Sequence, residues 1–448
     1  MTSKYLIKKV TIVNEGESST KDVLFYDNII QKIGDIKIEP DFNVIDGTGN
    51  YLLPGIIDGQ VHFRDPGLTH KGDLLSESKA AVAGGVTSFI DMPNTVPNVL
   101  TIQALADKYE LASVKSLANF SFFLGVNSDN IDEVINMDTS QFIGVSDDGL
   151  YFTKKGNLLA DDPAIMEKLF ATCKSIIAIH SEKEQIVEEN ETIYREKHGE
   201  NVPIEFHPLI RSEKACFEAT QRAINLANKH NARLHILHLT TEAETHLFRN
   251  DIPLKEKNIT TEVSVHHLWF SDQDYQRLGN LIKWNPAIKT EKDKKGLLNA
   301  LLDDRIDIIT TDHAPHTLDE KQKPYFQSMS GAPMVQHSLN CMLEFYKRGL
   351  ISLEKIVDKM CHNPAILYRI EKRGFIKEGY YADLTLVDLN STWTVKKDNI
   401  LYKCGWSPLE GTTFTTNVIS TFVNGNMVYN NGHFDEKVKG KALTIKKD

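Results

Sequence analysis

The sequence predicts an α/β protein: a (β/α)8 TIM-like barrel carrying a small composite β-sandwich domain built from both chain ends. Three observations predict it. Short apolar runs alternate with amphipathic helical stretches through the middle of the chain, which implies a parallel sheet with right-handed crossovers. About eight such units over ~300 residues favour a closed barrel over an open sheet. Both ends are instead rich in β-branched and aromatic residues broken by turn signals. A length of 448 residues suits one large barrel plus a satellite domain.

Taken in order, residues 5–13 and 22–26 read as strands separated by the polar stretch 14–21. The candidate barrel strands are 56–63, 86–92, 119–126, 175–180, 234–239, 260–265 and 306–311, with helices between them such as 162–173 and Glu213–His230. Beyond the barrel, 383–388 is strand-like, and 419–423 and 427–429 flank Asn424-Gly425, a two-residue hairpin signal. The expected division is 1–54 for the N-terminal part of the β domain, 55–372 for the barrel and 373–448 for the C-terminal part. No internal repeat or low-complexity linker interrupts it.

Composition narrows the functional classes. With 41% hydrophobic and 25% charged residues the chain is ordinary for a globular protein. A net charge of −10 gives little support to a nucleic-acid partner. Cys173, Cys216, Cys341, Cys361 and Cys404 are scattered without a CxxC pair, which argues against a disulfide framework and for a reducing compartment. The start MTSKYLIKKVTIV lacks the apolar run of a signal peptide, and no stretch approaches the ~20 apolar residues that cross a bilayer. The expectation is a cytoplasmic protein with no membrane association.

Several candidate strands end in residues suited to metal or proton chemistry: His62 and Arg64, His180, His238, then Asp312, His313 and His316. Catalytic groups of barrel enzymes gather at the C-terminal ends of the strands. Period-two geometry puts Gln60, His62 and Arg64 on one face of their strand, with Val61 and Phe63 on the other. Zinc takes imidazole nitrogen and carboxylate oxygen ligands, and a catalytic site keeps a position for water. Asp312 could accept that water's proton and pass it to a leaving nitrogen. The plainer readings stand beside these. A lone strand histidine is more often structural, and His230, His235 and His246 are read so. Asp312 could be a helix N-cap, Arg64 a surface ion pair, and Asp147-Asp148-Gly149 an ordinary turn.

The segment DGQVHFRDPG resembles the DxHxHxREPG signature of dihydroorotases in the amidohydrolase superfamily, and the match is to the class I bacterial type. DMPNT (91–95), HSE (180–182), HHL (266–268), KWNPAIK (283–289) and TTDHAPH (310–316) resemble further blocks in the same order, and the ADLTLVDL and FVNG segments resemble the C-terminal strands. The resemblance covers essentially the whole chain. It implies a reversible, zinc-dependent ring closure of N-carbamoyl-L-aspartate to L-dihydroorotate in pyrimidine synthesis, with one or two Zn2+ per subunit. By resemblance, His62 is a ligand of the more exposed metal, and His180 and His238 are ligands of the second. Asp148 bridges the two, in preference to Lys154 or Lys155 as a carbamylated bridge, and Asp312 is the metal-bound general base. Arg64, Asn94 and His316 hold the substrate carboxylate, and Asn285 touches the ring. The stretch from His316 to Gly331 resembles a mobile loop that closes over substrate, with Ser330 and Gly331 touching it.

Gln60 departs from the pattern, which has histidine there. Its amide oxygen is a poorer zinc ligand than imidazole, so the position held by His180 and His238 is expected to be the better occupied. Asp65 in place of glutamate is a milder change. The carboxylate clamp separates a dihydroorotase from an allantoinase or hydantoinase, because a planar guanidinium suits a ring carboxylate. Gln60 also admits a different class of function, a non-catalytic homologue serving as a structural partner of aspartate transcarbamoylase. A homodimer is the expectation from the resemblance.

Overall fold

The structure, a computed structural model, describes residues 3–138, 142–150 and 163–446. Lys154, Lys155 and Asp162 lie outside the described residues.

The chain opens with β1 (Lys4–Asn14), β2 (Glu17–Tyr26), β3 (Ile29–Gly34), β4 (Phe42–Asp46) and β5 (Tyr51–Pro54). The polar stretch at 14–21 is not a loop. β1 and β2 pair up to Asn14 and Glu17, and the turn is only Glu15 and Gly16, both at positive φ as a twisted two-residue hairpin requires. The Ser and Thr residues there sit on a solvent-facing ribbon, so their polarity conceals a strand.

The barrel strands follow: β6 (Ile56–Val61), β7 (Val86–Asp91), β8 (Asn119–Phe122), β9 (Leu124–Gly125), β10 (Val145–Ser146), β11 (Ile177–Ile179), β12 (Leu234–Ile236), β13 (Ile259–Ser264) and β14 (Ile308–Thr310). β8 and β9 are two parts of one strand broken at Phe123: the first pairs with β7 and the second with β10. Pairing is parallel throughout, and a bridge from Val61 to His313 joins β14 to β6 and closes the ring. The predicted barrel is therefore present. The strands stop one to three residues short of the apolar runs, most clearly at β6 and β12, where His62 and His238 lie past the strand ends. The short β10 gave no apolar run to detect.

The helix Glu213–His230 matches its expected bounds. Ser212 caps its start by accepting from the Ala215 N–H, Asn231 ends it in the left-handed region, and Ala215, Ala219, Ala223 and Ala227 form its buried stripe. No helix of the described residues is long and apolar enough to cross a membrane.

The chain ends in β15 (Leu384–Asp388), β16 (Trp393–Thr394), β17 (Thr413–Phe414), β18 (Asn417–Val423), β19 (Asn426–Asn430) and β20 (His433–Phe434). Asn424 and Gly425 make the hairpin turn at φ 49° and 73°. One sheet of nine strands runs β20-β19-β18-β15-β5-β1-β2-β3, with β4 alongside β1. β5 is its seam, parallel to β1 and antiparallel to β15. Phe25 and Phe422, one from each end of the chain, meet edge to face at 5.0 Å in its core. The separate sheet is bolted to the barrel by Thr421 Oγ1 donating to Val82 O (2.7 Å) and Thr385 Oγ1 donating to Gly85 O (2.8 Å).

Candidate active site

Just past the strand ends, β6 delivers His62, β10 Asp148, β11 His180, β12 His238 and β14 Asp312, all buried. Arg64, His238 and Asp312 have positive φ (68°, 34° and 43°). A non-glycine residue pays on the order of 1–3 kcal/mol for such a backbone, which persists where the surroundings over-determine it. Asp312 caps no helix; the next one, Leu318–Lys321, is capped by Thr317.

His62 Nε2 lies 3.1 Å from Asp312 Oδ1 and 3.2 Å from Asp148 Oδ2. Asp148 Oδ1 lies 3.8 Å from both His180 Nδ1 and His238 Nε2, which are 3.1 Å apart. Two sets, Asp148–His180–His238 and His62–Asp148–Asp312, each gather ligand atoms within 4.8 Å of one another. They share Asp148, whose two oxygens face opposite sets. Imidazole nitrogens and carboxylate oxygens so grouped fit a divalent cation of zinc's ligand preference.

Further groups fix these side chains. Asn94 Oδ1 sits 2.7 Å from His62 Nδ1, so Asn94 orients the imidazole as well as lining the pocket. Asp147 accepts the His180 N–H at 3.1 Å. Gln60 Nε2 donates to Asp148 Oδ2 at 3.0 Å, and its amide oxygen is a buried atom without a hydrogen-bond partner. Glu182 Oε2 lies 2.8 Å from His180 Nε2 and is ion-paired with Arg211. Neither Glu182 nor Arg211 received a role from the sequence; the spacing His180–Glu182 was the available signal. A carboxylate behind a ligating histidine fixes its tautomer, and losing one typically costs 10–100-fold in metal affinity. Glu182→Gln is therefore expected to weaken retention of a bound divalent metal by about tenfold or more in a chelator competition; retention equal to the parent protein would remove Glu182 from this role.

The electrostatics match the geometry. Burial alone would lower His62, but its hydrogen bonds to Asp148 and Asp312 raise it to about 10. Burial likewise opposes and Asp148 outweighs at His238, which stands at about 9. Asp148 is held well below the usual carboxylate range, since His238 and His62 overcome its burial. Burial raises Asp312 from its ordinary value, against the pull of His62 and His238. A cation bound there would compete with protons for the two imidazoles.

Arg64, Asn94, Asn285, Ser330 and Gly331 line a pocket with His62, Asp148 and Asp312. Trp284, Gly149 and Ala314, not singled out in the sequence, complete the lining. Gly149 is required: at φ 72°, a Cβ there would fall 2.1 Å from Asn94 Nδ2. His316 stands behind Arg64, with Nε2 at 3.1 Å from the guanidinium. The remaining candidates lie elsewhere. His313 pairs with Glu77 (2.9 Å) and Asp65 with Lys115 (2.8 Å). His235 contacts Glu262 (3.0 Å) and His230 contacts Glu167 (2.6 Å), while His246 is exposed.

A model of the amidohydrolase family matches residues 51–428. A dihydroorotase of Pyrococcus furiosus is 30% identical over 448 residues, spanning 100% of this chain and 96% of that protein. One of Pyrococcus abyssi is 31% identical over 93% of this chain and 91% of its own length. Among solved structures, an L-hydantoinase (dihydropyrimidinase) from Arthrobacter aurescens superposes with a TM-score of 0.89 at 24% identity, covering 99% of this chain and 100% of that one. A D-hydantoinase from Thermus sp. gives 0.87 at 22%, covering 98% of each. At these identities the likeness is one of fold.

Proposed function

We propose that this chain, which belongs to the amidohydrolase family, works as a dihydroorotase of the class I bacterial type, interconverting N-carbamoyl-L-aspartate and L-dihydroorotate in pyrimidine synthesis. The observation that carries the reading is Arg64. Its guanidinium is buried in the pocket wall, and no carboxylate of the described residues lies within ion-pair distance. Its partners are the Pro315 carbonyl at 3.2 Å and His316, which leave donors over. A buried, unpaired guanidinium calls for an anion, and a ring carboxylate supplies one in the planar form that guanidinium matches. A hydantoin with an apolar substituent has no such group.

His62, Asp148 and Asp312 would hold one Zn2+, and Asp148, His180 and His238 a second. Zinc so held activates water and polarises a carbonyl. Asp312 takes a proton from the attacking water at its carboxylate and delivers it to the ring nitrogen; for ring closure it takes the proton back from that nitrogen. Arg64, with Asn94 and His316, holds the substrate carboxylate. Asn285, Ser330 and Gly331 flank the ring.

Gln60 bears on the metal count. By donating to Asp148 Oδ2 it occupies the carboxylate oxygen that faces His62 and Asp312. The Asp148–His180–His238 position should therefore hold its ion more tightly. Gln60→His is expected to raise bound zinc from about one to about two per chain by elemental analysis, since imidazole ligates zinc better than an amide; an unchanged content would show that Gln60 does not limit it. The function itself is tested by measuring zinc content and dihydroorotate hydrolysis on one zinc-supplemented preparation, with allantoin and hydantoin alongside. Turnover of either without dihydroorotate overturns the assignment. A zinc-free, inactive protein returns the reading to a structural partner of aspartate transcarbamoylase.

A further inference from the structure

We propose that Asp58 and Thr311 are positioning residues for Asp312: together they fix the backbone turn that aims its carboxylate into the pocket. The inference rests on the reading of Asp312 as the proton carrier of a dihydroorotase.

Asp312 stands two residues past the end of β14, at φ 43°. A residue with a Cβ rarely adopts that backbone, and it persists only where the surroundings over-determine it. Glycine would adopt it freely but would bring no carboxylate. The turn must therefore be held from its two sides, at Thr311 and His313.

Asp58 holds both. It lies in β6, across the seam at which the barrel closes onto β14. Its Oδ1 accepts the Thr311 N–H at 3.1 Å, and its Oδ2 accepts the Thr311 hydroxyl at 2.6 Å. The same hydroxyl oxygen accepts the His313 N–H at 3.1 Å. The N–H groups on either side of Asp312 thus lead to one carboxylate, the first directly and the second through the hydroxyl. Gln60 O lies 3.5 Å from that hydroxyl, which leaves Asp58 as its acceptor. Asp58 is steadied in turn by the Gln60 N–H, which donates to Oδ1 at 3.3 Å where the pairing of β6 with β7 is irregular.

The bonds also set Asp312 against His62. The His313 carbonyl accepts the His62 N–H at 2.8 Å, and His62 Nε2 lies 3.1 Å from Asp312 Oδ1. The His313 ring is anchored separately, by Glu77 at 2.9 Å and by the Met334 N–H at 3.0 Å. Asp58 and Thr311 are 2% and 1% exposed, and neither lines the pocket. No cation of the described residues lies within ion-pair distance of Asp58, and burial raises its carboxyl to about 7. An apolar side chain would fill that space at less cost. What the carboxylate adds is three accepted hydrogen bonds, two of them to Thr311.

A double-mutant cycle on the full-length, metal-loaded protein tests the role. Thr311→Val keeps the shape and removes the hydroxyl. It is expected to lower kcat for dihydroorotate about tenfold, since a displacement of the order of 1 Å costs up to about 10²-fold. KM stays within about twofold, because Arg64 is untouched. Metal content stays at the parent value, since neither residue belongs to the two ligand sets. Thr311→Ser restores the hydroxyl and is expected to keep kcat within about threefold of the parent protein. With Asp312→Asn already present, Thr311→Val is expected to lower kcat no further, because a residue acting through Asp312 has nothing left to position. Asp58→Ala, with an expected loss of about 10²-fold in kcat, takes its place in the cycle if Thr311→Val fails to fold. Losses that multiply in the double variant, a lowered Tm with kcat unchanged, or a KM that rises as kcat falls would each overturn the proposal. Absent dihydroorotate turnover in the parent protein is instead failure of the dihydroorotase reading. The cycle is then read on allantoin or hydantoin, whichever the parent protein hydrolyses, and a protein inert towards all three overturns both.

Discussion

Asp312→Asn is expected to lower dihydroorotate turnover by about 10³-fold, within the 10²–10⁴ range of a lost general acid–base group, with the fold intact. Asparagine preserves the shape and can still sit 3.1 Å from His62, the distance of the Asp312 carboxylate oxygen, but it cannot carry a proton between water and a ring nitrogen. The site gives Asp312 the properties that task needs: a fixed backbone at φ 43°, burial that raises its carboxyl, and His62 and His238 pulling the other way. The ion held by Asp148, His180 and His238 should survive the change, since Asp312 is not in that set. The check is kcat with zinc content and Tm on the same sample. Turnover within about tenfold of the parent protein, below the 10² floor for such a group, would mean that another group moves the proton.

Arg64→Met is expected to cut kcat/KM for dihydroorotate by roughly 10²–10³-fold, mostly through KM. Truncating one partner of a buried charged pair costs about 2–5 kcal/mol, and each ~1.4 kcal/mol is tenfold. The free protein should be no less stable, because the change removes a buried charge that lacks a carboxylate partner. Dihydrouracil provides the control: without a carboxylate it loses nothing when Arg64 goes. If both ligands weaken alike, Arg64 serves the shape of the pocket rather than recognition of charge.

The fold was largely legible because its signals are local. The β6, β12 and β14 runs end in His62, His238 and Asp312, and the helix Glu213–His230 carries a cap, an alanine stripe and a left-handed stop within its own sequence. β10 was not legible, since Val145 and Ser146 form a strand only through neighbours far along the chain. The site divides the same way. Residues at strand ends could be placed, but the Asn94–His62 and Gln60–Asp148 bonds depend on the ring closing. Lys321 is the extreme case. Lysine in a polar stretch reads as surface, and only the folded backbone shows three carbonyls turned inward upon it.

The seam at β5 constrains how the protein is made. Pro54 and Leu384 are partners in one sheet, yet about 330 residues separate them along the chain. On the ribosome, β1 and β5 emerge early and must wait, with one edge of β5 unpaired, while the whole barrel is synthesised. An open apolar edge is a template for pairing with other chains. A nascent chain stalled before β15 would therefore expose Leu52 and Leu53, buried in the finished sheet, and would be prone to join its neighbours on the polysome. Translation past Leu384 is the step that turns this early strand pair from a liability into a domain.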